Sequence, residues 1–224
     1  MNRPFVIALD GPAASGKGTL ARLIANHYDF AYLDTGSLYR GVAWSILNDG
    51  GDPADPQVAA RAAENFSLEA IEGADIRTRE VGAAASKVAA MAPVRAALLA
   101  FQLQLASSPP GGKKGAVLDG RDIGTVVCPD ADLKFFVVAS PEVRAHRRWL
   151  ELKETRPGLT EAEVAADLAE RDARDADRAD APMTQAEDAE LLDTTHLTIE
   201  AVFAAARRVI DGVYRRCEDR TGEA

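Results

Sequence analysis

The sequence predicts an α/β fold, a parallel sheet covered by helices on both faces. Three observations carry that expectation. Short apolar runs rich in β-branched residues alternate with stretches of helical periodicity along the whole chain. The first such run passes through a glycine-rich loop directly into a helix. The chain has 224 residues, 47% hydrophobic and 27% charged, enough to bury one sizeable core and too apolar for disorder.

The elements follow in order. FVIALD at Phe5–Asp10 is a buried strand, stopped by Gly11 and Pro12. From Gly16, a helix places Leu20, Leu23, Ile24 and Tyr28 at three- and four-residue spacing. Residues 30–33 form a second strand, and 37–47 a helix striped by Leu38, Val42 and Ile46. DGGDPADP at 49–56 is a turn cluster, followed by a short helix over 55–65. Weak alternation over 66–76, interrupted by Gly73, predicts a small hairpin or loop appendage. Alanine-rich helices follow at 77–90 and 93–106, then a loop, SSPPGGKK. GAVLD at Gly115–Asp119 and KFFVV at 134–138 are buried strands. Helices span 141–153 and about 161–177, the second opened by a capping box of Thr160 with Glu163. A last strand at 191–193 precedes a closing amphipathic helix over 199–217, with Val202, Ala206, Val209 and Val213 on one face. The pattern contains no internal repeat.

Composition removes several classes of function. The 26 basic residues are outnumbered by 35 acids, a net charge of −9 that opposes general nucleic-acid or anionic-membrane binding. No apolar run approaches the roughly 18 residues that span a bilayer, and the first residues lack the form of a signal peptide. Cys128 and Cys217 are far apart and fit two inert thiols in a reducing cytoplasm. His27, His146 and His196 form no cluster, so each is read as an ordinary surface or helix-end residue.

The strongest chemical signal is GPAASGKGT, comprising Gly11, Pro12, Ala13, Ala14, Ser15, Gly16, Lys17, Gly18 and Thr19, between a strand and a helix. A glycine loop there points backbone N–H groups inward at a helix N-terminus, where they cradle phosphate. Lys17 adds a mobile cation for the β- and γ-phosphates. Gly18 takes the usual Ser/Thr place of that pattern and Thr19 follows it. The cradle alone signifies a nucleoside triphosphate, and the guanine-reading N-K-x-D of GTPases is absent.

Four further motifs narrow the reading. DTGSLYR at 34–40, ASKVAAMAPVR at 85–95, DGRDIGTVV at 119–127 and RDARDADR at 171–178 stand in the order seen in bacterial cytidylate kinases. Together with the GKGT form of the cradle, the chain resembles that family from Phe5 to beyond Ile199. The resemblance implies a P-loop nucleoside triphosphate hydrolase-type fold with five parallel strands, and transfer of the ATP γ-phosphate to CMP or dCMP with Mg²⁺ through lid closure. It also implies one kinase domain with a core of residues 1–60, 93–143 and 189–224. An acceptor-binding segment lies at about 61–92 and a lid at about 144–188. A cytoplasmic monomer that binds small molecules, and neither nucleic acid nor membrane, is expected.

The residues support that resemblance physically. Two like-charged phosphates can meet only where several arginines hold them, and Arg40, Arg121, Arg171 and Arg178 are the candidates. With Lys17, Arg40, Arg121 and Arg171 form the expected catalytic set. By resemblance, Arg40 binds the acceptor phosphate beside Thr35, and Ser86 and Arg95 complete the base site. DGRD follows a strand at the end where open sheets bind ligands. Asp122 there would accept from the cytosine amine and repel the uracil carbonyl. Asp119 would either hold a Mg²⁺-bound water or cap the loop. Taken alone, RDARDADR would be a solvated, ion-paired helix face, but it matches the family pattern. By resemblance, its first arginine, Arg171, reaches phosphate and Asp175 binds the ribose hydroxyls, with Arg178 on the same face. Arg144, Arg147 and Arg148 resemble lid arginines facing ATP. One departure concerns the stretch 65–76, too short for the family's three-stranded insert, which implies a more open base site and weaker cytosine selectivity. The alternatives are a kinase for another small acceptor and a nucleotide-switched binding protein.

Overall fold

The computed structural model describes residues 3–222, with side chains through Arg216. Five strands, β1 (Phe5–Asp10), β2 (Ala31–Asp34), β3 (Gly115–Asp119), β4 (Leu133–Val138) and β5 (Glu190–Asp193), form one sheet in the order β2-β3-β1-β4-β5. Every pairing is parallel, as in Ile7 opposite both Val117 and Leu133. The helices are α1 (Lys17–Tyr28), α2 (Thr35–Asn48), α3 (Pro56–Glu64), α4 (Arg79–Val88), α5 (Ala92–Ser107), α6 (Pro141–Leu152), α7 (Glu161–Ala176) and α8 (Ile199–Gly222).

The central strands are apolar on both sides because both sheet faces are covered. Along β1, Phe5, Ile7 and Leu9 pack with α1 and α8 through Leu20, Ile24 and Ile210. Val6 and Ala8 face the other layer, with Leu38 and Val42 of α2 and Val94 and Leu98 of α5. A smaller apolar knot of Ala13, Ala145, Val164 and Leu168 sits beneath the α6–α7 pair. Trp149 donates its indole N–H to Leu159 O across 2.8 Å and closes that knot. The Thr160–Glu163 capping box is present at the start of α7.

Of the hairpin or loop expected over 66–76, the chain forms the loop. It forms a 3₁₀ turn at Glu69–Ile71 flanked by turns. Phe66 packs its ring against Gly41 of α2, and Gly73 at φ +76° favours a turn over a paired strand. A π-helical turn at Ile123–Val127, not foreseen in the sequence, follows β3. The helix expected over 161–177 ends at Ala176, so Arg178 lies beyond its C-cap rather than on its face. Cys128 is half-buried and burial pushes its thiol up to about 11, consistent with an inert group. The Cys217 side chain lies outside the described residues. Among the described residues no single helix is long and apolar enough to cross a membrane.

Candidate active site

β1 occupies the middle of the sheet, and its carboxyl end opens into the loop 11–16. That position is where open parallel sheets bind ligands. The loop depends on glycine at two points. Gly11 has φ +139°, and a Cβ there would lie 2.1 Å from Val137 O of the neighbouring strand. Gly16 adopts φ +90° as the N-cap of α1 and carries no side-chain cap, leaving the helix N-terminus open. Lys17, the first residue of α1, folds back so that Nζ donates to Pro12 O at 3.3 Å. Burial, reinforced by the charges of Arg121 and Arg171, pulls its ammonium down to about 7 against the pull of Asp119 and Asp34.

Two adjoining cavities lie over the sheet edge. The larger, about 220 Å³, is lined by the loop with Lys17, Tyr32, Asp34, Arg40, Asp119 and Arg148. The smaller, about 40 Å³, is lined by Thr35, Tyr39, Ser86, Asp122, Asp175 and Arg178. Arg121 and Arg171 line both. The sequence-predicted residues, scattered over 11–178, are thus gathered into one continuous site. Arg95 stands one contact further back, ion-paired to Asp122 and donating to the Tyr39 hydroxyl at 3.3 Å.

Each acceptor-side arginine already has a carboxylate. Arg40 donates to Asp34 at 2.6 Å. Arg121 Nε donates to Asp175 at 2.8 Å, and Arg178 donates to the other oxygen of the same carboxylate. Arg171 is the loosest, with Nε 3.9 Å from Asp175. Burial resists ionisation of Asp175, but Arg121, Arg178 and Arg171 outweigh it and hold the carboxyl below its usual range. Burial and the like charge of Arg121 bring Arg171 down to about 10. For Asp122 burial prevails over Arg95 and raises the carboxyl.

The base-side residues are covered despite the short arm. Ser86, Asp122 and Asp175 are 3%, 5% and 1% exposed, so the expected openness is not found. Helices α2 and α4 pack directly on one another and close the wall that a longer insert was expected to provide. The Ser86 hydroxyl has no hydrogen-bond partner among the described residues, a donor left unpaired in the pocket wall. Thr35 donates to Asp119 O at 2.8 Å and ties α2 to the end of β3.

Asp119 accepts from the Tyr32 hydroxyl at 3.1 Å, and burial with repulsion from Asp34 raises its carboxyl to about 6. No group of three His, Cys, Asp or Glu able to hold a metal directly occurs among the described residues. Asp34 and Asp119 in the cavity wall are oxygen donors of the kind a hydrated divalent cation takes.

The arginines of α6 divide. Arg144 donates to Ala13 O at 3.2 Å and to Asp172 at 2.5 Å, beneath the loop rather than into the cavity. Arg147 grips Thr194 through Oγ1 and the carbonyl, at 2.9 and 2.8 Å, and the Thr194 hydroxyl donates to Ser15 O at 2.9 Å. Only Arg148 of the three lines the chamber. Thr194, Tyr32 and Asp10 were missed in the sequence. A carboxylate ending the apolar run FVIALD was the one available sign.

The family model described as cytidylate kinase matches residues 7–211. A cytidylate kinase of Paramagnetospirillum magneticum is 54% identical over 205 residues, covering 92% of this chain and 97% of its own length. One of Bradyrhizobium sp. is 51% identical over 209 residues, covering 93% and 97%. A solved structure of an uncharacterized protein from Eubacterium ventriosum shares the fold, with a TM-score of 0.53 at 13% identity, covering 92% of this chain and 98% of that one.

Proposed function

This chain belongs to the cytidylate kinase family, and on that premise we propose that it transfers the γ-phosphate of ATP to CMP or dCMP, giving CDP or dCDP. The observation that carries the reading is the pair Arg121 and Arg171, which line both cavities. A phosphoryl group passing from a donor in one cavity to an acceptor in the other crosses the wall these two residues form. The larger cavity takes the triphosphate, the smaller takes the pyrimidine and ribose, and the acceptor phosphate reaches past Arg121 and Arg171 to Arg40 on the wall of the larger.

The mechanism follows from charge and position. Backbone amides of residues 11–16 and the ammonium of Lys17 hold the donor's β- and γ-phosphates. The approaching anions favour the ionised amine of Lys17 and oppose the downward pull of burial. Arg40, Arg121 and Arg171 hold the acceptor phosphate. Arg121 uses Nε for Asp175 and Nη1 for Gly120 O, which leaves part of its five-donor fork for substrate. The two reacting groups are thereby held in line while positive charge offsets their repulsion. The acceptor oxygen is already ionised near neutral pH, so no side chain needs to remove a proton. Asp119 would hold a hydrated Mg²⁺ through water, and the ion would supply charge neutralisation to the donor phosphates.

Base choice rests on Asp122, Ser86 and Arg95, and the ribose hydroxyls on Asp175. The acceptor-binding segment at about 61–92 and the lid at about 144–188 flank the core. A net charge of −9 supports the reading of a cytoplasmic enzyme that binds neither nucleic acid nor membrane, which we take to act as a monomer.

A coupled assay with ATP, Mg²⁺ and a panel of CMP, dCMP, UMP, AMP and GMP tests the proposal. CMP and dCMP should give the highest kcat/KM. A higher value with another acceptor, or nucleotide binding without turnover of any, overturns it.

A further inference from the structure

Asp10 ends β1, an otherwise apolar strand, and is 4% exposed. Its two carboxylate oxygens accept from the backbone amides of Ile123 and Gly124, at 2.8 and 2.7 Å. Those are the opening amides of the π turn Ile123–Val127, and Asp122 at its N-cap gives them no side-chain cap. Within the turn only later amides are satisfied, Val126 and Val127 by Asp122 O and Cys128 by Ile123 O. The first amides of a helical turn have no partner inside it and, when buried, must find one elsewhere. Asp10 supplies both, from 113 residues away in the sequence for Ile123.

The preceding residue grips the same segment from its other end. Gly120 N donates to Leu9 O at 2.9 Å. Residues 120–124 are therefore pinned at both ends by the last two residues of β1. Between the pins stand Arg121 and Asp122, which face the acceptor cavity. The fit at the far pin is close, since a Cβ on Gly124 would lie 3.4 Å from Asp10 Oδ2 and 3.0 Å from Lys134 Cδ. On its other side Asp10 is followed at once by Gly11, where the phosphate cradle begins.

We infer that Asp10 is a positioning residue for acceptor recognition: its carboxylate fixes residues 120–124 and so sets where Arg121 and Asp122 meet the nucleotide. The strand end that launches the donor cradle thus also aims the groups that read the acceptor. Asp10 touches no substrate and acts through the backbone of the turn. The inference rests on the cytidylate kinase reading of the smaller cavity.

Asp10→Asn tests it. Asparagine keeps the size and one acceptor oxygen but turns an N–H₂ group against one of the two amide donors. The expected result is a KM for CMP raised at least about tenfold, with the KM for ATP within about threefold of wild type. The kcat/KM ratio of CMP over UMP should fall as Asp122 loses its fixed position. Asp10→Ser shortens the side chain and gives up both amide bonds without turning a donor against them, so it should show the same rise in KM for CMP, and it carries the test where Asn impairs folding. Unchanged CMP affinity and base ratio, or a fall in kcat with both KM values constant, overturns the inference. Wild-type turnover is measured first. Its absence with CMP overturns the proposed function, whereas normal turnover with an unaffected Asp10→Asn enzyme overturns only the role of Asp10.

Discussion

The phosphate cradle and the acceptor pocket both hold anions, yet they are built in opposite ways. The cradle is one unbroken stretch, Gly11 to Thr19, shaped by backbone: positive φ at Gly11 and Gly16 and an open helix N-terminus. The pocket draws Thr35 from α2, Ser86 from α4, Asp122 from the turn after β3 and Asp175 from α7. Backbone dipoles do not need a counter-charge, whereas an arginine cluster without substrate must find one. Hence Arg40, Arg121 and Arg178 rest on Asp34 and Asp175. The cradle waits with one buried cation pulled down in pKa; the pocket waits with its charges already paired. A ligand entering the cradle gains contacts outright. A ligand entering the pocket has to share guanidinium groups with carboxylates, so affinity there depends on those carboxylates staying in place.

Lys17→Ala breaks the comparison on the cradle side and should have the largest effect. The chain has no second cation on the loop 11–19 to replace it. Loss of one such charge contact costs about 10²–10³ in rate, with the fold retained because the hydrogen bond of Nζ, to Pro12 O, stays within the loop. Single-turnover phosphoryl transfer within a few-fold of wild type would remove Lys17 from the mechanism.

Asp175→Ala probes the pocket side. Its carboxylate is the common anchor of Arg121 and Arg178, so its removal leaves two partly buried guanidinium groups unpaired. The expected loss in kcat/KM is about 10- to 100-fold with both acceptors, since a hydrogen bond to a charged group is worth roughly 1.5–3 kcal/mol. CMP should lose more than dCMP, because the deoxy acceptor lacks the 2′-hydroxyl that the carboxylate would bind. Activity within twofold for both, with only a lower Tm, would reduce Asp175 to a helix-stabilising residue.

The same contrast decides what the sequence made legible. The cradle could be read directly, because its function is written in consecutive residues and a strand–loop–helix context. So could the sheet, since FVIALD and GAVLD are apolar without alternation, as strands covered on both faces must be. The pocket residues were located only through resemblance, because nothing in local spacing brings Ser86 to Asp122. Asp10 and Thr194 escaped for a related reason: each acts on a backbone group more than a hundred residues away, at Ile123 and Ser15. At 66–76 weak alternation left a hairpin and a loop both open, and packing of Phe66 on Gly41 accompanies the loop that forms.

Asp122→Asn sharpens the pocket side at the level of a single atom and should have the smallest effect. At neutral pH an ionised carboxylate only accepts hydrogen bonds, which suits the cytosine amine and opposes the uracil carbonyl. An asparagine amide can turn either a donor or an acceptor toward the base. Asp122 has a second task, since Arg95 is ion-paired to it inside the protein. Substitution therefore weakens Arg95 as well, and some loss with every acceptor is built in. The two tasks separate in the ratio of specificity constants, from which any loss common to both bases cancels. If Asp122 reads the base, kcat/KM falls far more for CMP than for UMP, and their ratio narrows by roughly tenfold. If the ratio holds while both values drop together, Asp122 serves only to seat Arg95. Base choice then passes to the unpaired Ser86 hydroxyl in the opposite wall.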